Sequence, residues 1–247
     1  MRRSSRTARL FVCVVPALVL GLLVASFGCG GDDDGAGPRT SSSEPPPPEA
    51  ATACDDDNAE AVTLTTEDGA ELDAALVGHG DVGVVLGHQL RSDMCSWVPF
   101  ATQLAERDMS GLAINFASAS LEKDMVAGAR ELQRRGAERI FLVGASMGGT
   151  AALVAAGEID VAGVAALSAP QEFSDLDALP AVRDLEMPVL FLAGRQDEAF
   201  ARDARRLFQA TASDEKALVM LSGGEHGTDL LRDPKAERAL LDFLSGG

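Results

Sequence analysis

From about Val62 to Leu244, short and nearly continuous apolar runs alternate with longer stretches whose apolar residues recur every three or four positions. The first period belongs to buried strands and the second to amphipathic helices. Val62–Thr66 and Leu72–Val77 flank Glu67-Asp68-Gly69, which predicts an antiparallel hairpin with the glycine free to take positive φ. Strands are then expected at 82–86, 112–116, 140–143, 161–167, 189–192 and 217–221, and helices at 97–107, 122–135, 147–156, 176–185, 200–211 and 234–244. Such alternation predicts an α/β domain, with helices on both faces of a mostly parallel sheet and an antiparallel pair at its start. The connections are brief, so no cap domain is expected.

The first 57 residues do not fit this pattern. Arg2, Arg3, Arg6 and Arg9 precede an apolar stretch from Leu10 to Phe27, the order of charge and hydrophobicity in a secretory leader. An uncleaved membrane anchor is the alternative, against which Pro16 and Gly21 weigh. Gly28-Cys29 closes the stretch and resembles the processing site of bacterial lipoproteins, with Cys29 as the lipid acceptor; simple secretion is the other outcome. From Gly30 to about Asp57 the chain is rich in Asp, Gly, Ser and Pro, including Pro45-Pro46-Pro47-Pro48, with almost nothing to bury. It is expected to be a tether. The organisation expected is thus a signal peptide over 1–28, an acidic, proline-rich tether over 29–57 and a catalytic domain over 58–247.

The chain has 247 residues, 46% of them hydrophobic, enough for one good core. Its formal charge of −17 makes nucleic acid an unsuitable partner and disfavours anionic substrates. Of four cysteines, Cys13 lies in the leader and Cys29 at its end, so Cys54 and Cys95 remain for the domain and are expected to form a disulfide after export. No CxxC pair or Cys/His cluster has the spacing of a metal site, and neither metal nor organic cofactor is expected.

Chemistry concentrates where apolar runs end, because the carboxyl edge of a parallel sheet is where catalytic groups gather. Gly144-Ala145-Ser146-Met147-Gly148 follows one run and opens a small-residue helix. The spacing fits a nucleophile elbow, in which glycines two positions either side of the serine leave room for a tight strand-to-helix crossing. A glycine-rich turn without chemistry is the plain alternative. Asp197 follows the run Val189–Gly194, and His226 follows Leu218–Leu221 with Gly223, Gly224 and Gly227 around it. A serine hydroxyl needs a base to take its proton, and the base needs a carboxylate to fix its tautomer. His226 is the candidate base, with His79 and His88 placed too early in the chain. Asp197 is the candidate acid, with Glu198, Asp175 and Asp177 as rivals. An oxyanion would be met by backbone N–H groups of Met147 and of Leu90 or Gln89, while His88 is expected to orient that turn by hydrogen bonds.

Residues from about Val62 to Leu244 resemble the α/β-hydrolase superfamily, in its compact, capless, dienelactone-hydrolase-like or carboxylesterase-like branch. The matching segments are Gly87-His88, Ser96–Phe100, Gly144–Gly149, Gly194–Asp197 and His226-Gly227. The order Ser146, Asp197, His226 is that of the superfamily. Two departures stand out: Gln89 replaces the glycine of a His-Gly pair, and Asn115–Ala119 replaces an Asp-x-Arg-Gly-x-Gly loop.

The resemblance implies a serine hydrolase that cleaves a small carboxylic ester through an acyl-enzyme on Ser146. A peptidase, thioesterase or acyltransferase would present the same three residues, and a non-catalytic surface binding module or a structural envelope lipoprotein are rivals of another class. Ala169–Asp175, with Phe173, is expected to shape the acyl side of an open site. Trp97 and Phe100 at helical spacing read as core more readily than as pocket. The expected location is the cell envelope, with the membrane reached through Cys29.

Overall fold

A computed structural model describes residues 52–246; the leader, Cys29 and most of the expected tether lie outside them. Strand β1 (Thr52–Ala53) pairs antiparallel with β2 (Asp56–Thr65), which pairs with β3 (Glu71–Val77). The sheet therefore begins at Thr52, ahead of the boundary expected at 58. Composition hid this because Cys54-Asp55-Asp56-Asp57 reads as polar tether, although Ala53 and Ala59 are buried. Between β2 and β3 the expected turn forms. Gly69 has φ +86°, and the Thr66 hydroxyl accepts from the Ala70 N–H at 2.9 Å, fastening the loop beneath it.

The rest of the chain is β4 (Val82–Gly87), α1 (Val98–Ala105), β5 (Met109–Ile114), α2 (Leu121–Arg134), β6 (Arg139–Ala145), α3 (Met147–Ala155), β7 (Gly163–Leu167), β8 (Glu172–Phe173), β9 (Leu176–Asp177), α4 (Ala178–Ala181), β10 (Val189–Gly194), α5 (Glu198–Ala210), β11 (Lys216–Leu221) and α6 (Pro234–Ser245). The main sheet runs β1-β2-β3-β5-β4-β6-β7-β10-β11, with β5 through β11 parallel and the first three strands antiparallel. It is an α/β-hydrolase fold, and among the described residues nothing large enough for a cap is inserted.

Two core layers follow from the two-residue period of the strands. Val85, Leu112, Leu142, Val164 and Phe191 face α2, α3 and α5. Val84, Ala113, Val143, Ala165 and Leu190 face α1 and α6. Trp97 and Phe100 sit in the second layer at 6.0 Å, edge to face, so both are core.

One expected element is replaced. Instead of a helix over 176–185, Glu172–Phe173 and Leu176–Asp177 form a two-stranded hairpin, followed by the single turn α4. Ser174 turns the hairpin at φ +55°, and the Asp177 carboxylate caps α4 through the Leu179 N–H. Val182 and Leu185 are buried without being helical. Their spacing satisfied the core, and the periodicity alone could not distinguish that from a helix.

Candidate active site

Ser146 sits at the corner between β6 and α3 with φ 51° and ψ −117°, a conformation costly for a residue with a side chain. The surrounding glycines are forced by contact. A Cβ at Gly144 would lie 2.0 Å from the Gly148 carbonyl oxygen, and one at Gly148 would lie 2.4 Å from the Gly87 oxygen and 2.7 Å from that of His88. The crossing of strand and helix thus leaves no room for a methyl group, and it brings the loop after β4 against the first turn of α3. Ser146 is 8% exposed.

Asp197 occupies the N-cap of α5, where an aspartate ordinarily accepts from the helix's own first N–H groups. It makes no such bond. Its Oδ2 lies 2.8 Å from His226 Nδ1 instead. A carboxylate only accepts, so Nδ1 carries the proton and Nε2 is left as the acceptor. The rivals are otherwise occupied: Asp177 caps α4, while Asp175 and Glu198 are exposed. His79 is exposed in the turn before β4, at the amino edge of the sheet, away from the elbow. His88 is buried, with Nε2 accepting from the Phe116 N–H at 3.3 Å and Nδ1 therefore donating to the Gln89 carbonyl at 2.8 Å. It orients the turn. No hydrogen bond within 3.5 Å joins Ser146 Oγ to the His226 ring.

Outside the sheet ladders and helices, the N–H groups of Met147, Leu90 and Gln89 donate to no acceptor among the described residues. Met147 is the first residue of α3, where N–H groups point outward along the positive end of the helix. Leu90 is 58% exposed, the one large apolar side chain so placed among the described residues. Phe173 is half-buried in the β8–β9 hairpin, which the Thr150 hydroxyl anchors by donating to the Pro170 carbonyl at 2.7 Å. Cavities of about 330 and 430 Å³ open on the amino edge of the sheet, and neither is lined by Ser146, Asp197 or His226.

The two departures in the loops have structural uses. Asn115 Oδ1 accepts from the Met94 N–H at 2.9 Å, bracing the segment that follows Gln89. Asp124, fully buried at the start of α2, accepts from the Ala117 and Ser118 N–H groups at 3.0 and 3.1 Å and so fixes the Asn115–Ala119 loop. Cys54 and Cys95 are joined, with Cα atoms 5.3 Å apart. Residues missed from sequence are the Gln89 side chain, which reaches Thr228, and Phe200, whose ring lies 4.3 Å from that of His226. Phe200 carried no signal beyond being one apolar position of a predicted helix.

Residues 99–240 match the family model described as an alpha/beta hydrolase domain. The chain belongs to the alpha/beta hydrolase family. No curated protein matches the sequence. Among solved structures, an esterase of Pyrococcus furiosus is similar at 16% identity and a TM-score of 0.64, over 75% of this chain and 91% of that one. A dienelactone hydrolase from Anabaena variabilis is similar at 19% identity and a TM-score of 0.63, over 76% and 94%. A Paleococcus ferrophilus monoacylglycerol lipase follows at 19% identity and 0.60, over 71% and 98%. At these identities the likeness is one of fold. Among the described residues of this alpha/beta hydrolase, no group of acidic, histidine and cysteine side chains could hold a metal ion, and no helix is long and apolar enough to cross a membrane.

Proposed function

We propose that this alpha/beta hydrolase cleaves small carboxylic esters through an acyl-enzyme on Ser146, with His226 as base and Asp197 as its partner. The observation that carries the reading is the diverted Asp197 carboxylate, which leaves its own helix uncapped to bond His226 at 2.8 Å. That preference has no structural benefit for α5 but leaves Nε2 ready to accept a proton.

As the ester carbonyl meets Ser146 Oγ, Nε2 takes the hydroxyl proton while the new C–O bond forms. The negative charge on the former carbonyl oxygen falls to the N–H of Met147 and that of Leu90 or Gln89. Collapse of this intermediate expels the alcohol, which receives the proton from His226. Water then repeats the sequence and releases the acid. The Oγ to Nε2 hydrogen bond forms when substrate closes over the elbow, as such bonds commonly tighten only in the complex.

Short acyl chains suit the proposed site because no lid is inserted among the described residues, and the β8–β9 hairpin that carries the half-buried Phe173 packs against α3, the helix that Ser146 opens. Export is supported by the leader arginines and by the Cys54–Cys95 pair, which calls for an oxidising compartment; Cys29 is the proposed membrane anchor.

The test is turnover of p-nitrophenyl esters of increasing chain length, together with labelling by a fluorophosphonate. Ser146→Ala is expected to abolish labelling and lower kcat by at least about 10⁴-fold, with His226→Ala close behind and Asp197→Asn costing somewhat less. Undiminished turnover by Ser146→Ala refutes the mechanism, and a steep preference for long chains refutes the substrate class.

A further inference from the structure

His226 is the N-cap residue of the short 3-10 helix Gly227–Arg232, and its side chain makes no cap hydrogen bond. Its imidazole is bound to Asp197 instead. The first N–H groups of that helix therefore lose the acceptor that a Ser, Asp or Asn at the cap would supply. One of them, the Thr228 N–H, is met from far along the chain: it donates to Gln89 Oε1 at 2.8 Å, and the Thr228 hydroxyl reaches the same oxygen at 3.2 Å. Between His226 and Thr228 stands Gly227 at φ +60°, where a Cβ would lie 2.1 Å from that oxygen and 3.4 Å from the Cβ of Ala145. The Gln89 amide thus lies directly against the backbone of the base loop, beside the residue that precedes Ser146.

We propose that Gln89 is a positioning residue for His226, capping the 3-10 helix in trans so that the imidazole is released from capping and its backbone is held in the turn that presents it to Ser146. The inference rests on the Ser146, Asp197 and His226 reading above. One hydrogen bond from Nδ1 and the ring of Phe200 at 4.3 Å constrain the imidazole itself, and its side chain is 32% exposed. The position of Nε2 then depends on where the backbone of residues 226–228 sits. Gln89 also belongs to the loop whose N–H groups are the candidate oxyanion donors, so a single side chain sets the distance between that loop and the base. Displacing a catalytic group by about 1 Å can cost up to about a hundred-fold in rate, so a bond remote from the reacting atoms acquires a kinetic effect.

The experiment compares Gln89→Met, which keeps length but removes the acceptor, with Gln89→Glu, which keeps an acceptor. Each is measured for kcat and KM on p-nitrophenyl acetate and for hydrogen exchange of the Thr228 amide, with Ser146→Ala alongside. Gln89→Met is expected to speed Thr228 exchange and lower kcat about ten- to a hundred-fold with KM little changed; Gln89→Glu should restore both protection and most of kcat. A merely structural bond would lower melting temperature and leave kcat intact. Wild-type kcat in Gln89→Met while Ser146→Ala is inactive, or Thr228 exchange unaltered by Gln89→Met, overturns the positioning role alone. Turnover retained by Ser146→Ala overturns the triad reading and the inference with it.

Discussion

Removing the Cys54–Cys95 bond, as Cys54→Ala with Cys95→Ala, tests how the start of the domain is held. The two residues are separated by 41 positions, and constraining a loop of that length in the unfolded chain stabilises by about 4 kcal/mol in the chain-entropy treatment. In a domain of this size each kcal/mol moves the melting temperature by about 2–4 °C, so a fall of about 8–16 °C is expected. A second effect acts in the folded state. Cys54 and Asp55 have φ values of 59° and 52° in the turn between β1 and β2, left-handed at both central positions without a glycine. Without the bond that turn loses its fastening, and β1 with the start of β2 should exchange amide hydrogens earlier than β4 and β6. Turnover at 25 °C should change little, because Asn115 still holds Met94. The assay is thermal unfolding of both proteins, with peptide mapping of the unreduced wild type. A shift below about 2 °C, less than about 1 kcal/mol, or two free thiols in the wild type, refutes the reasoning.

Two further substitutions, one of them with a control, probe other parts of the molecule. Gly148→Ala places a methyl group 2.4 Å from the Gly87 oxygen and must push the β4 loop from the elbow, so it should cost about 1–3 kcal/mol and much of the turnover; Gly157→Ala, whose nearest neighbour stands at 3.4 Å, is the control, and equal activity of the two variants contradicts the packing account. Burial, with Glu158 and Asp175 nearby, holds the Glu122 carboxyl above its usual range. Because the folded state then binds the proton more tightly than the unfolded one, stability falls as pH rises through the folded-state titration. Glu122→Gln should raise the melting temperature at neutral pH and lose that advantage below about pH 4, where the glutamate is protonated in both states; an equal gain at both pH values would contradict the assignment.

Continuous apolar runs such as Val82–Leu86 and Val189–Leu192 fix much of the architecture by themselves, because strands buried on both faces of a parallel sheet admit little else. At the elbow the exclusion of a side chain at Gly148 comes from the distant Gly87 and His88 carbonyls, but that at Gly144 comes from the Gly148 backbone in the same turn, and this part was equally legible. Local sterics write themselves into local sequence. The helix expected over 176–185 failed for the complementary reason: Val182 and Leu185 are apolar to fill the core under α3 and α5, and burial does not reveal which backbone conformation delivers a side chain there.

What tertiary structure alone decided lies between segments far apart in the chain. That Asp197, and none of its rivals along the chain, bonds His226, that Gln89 caps the loop carrying Thr228, and that Asn115 braces Met94 depend on which loops the strand order brings to one edge. Hydrogen bonds act over about 3 Å and leave no periodicity behind, so their donors and acceptors are interchangeable polar residues until the sheet is assembled. Gln89 and Asn115 therefore read along the chain as departures from a pattern, and only the folded loops reveal their bonds to Thr228 and Met94.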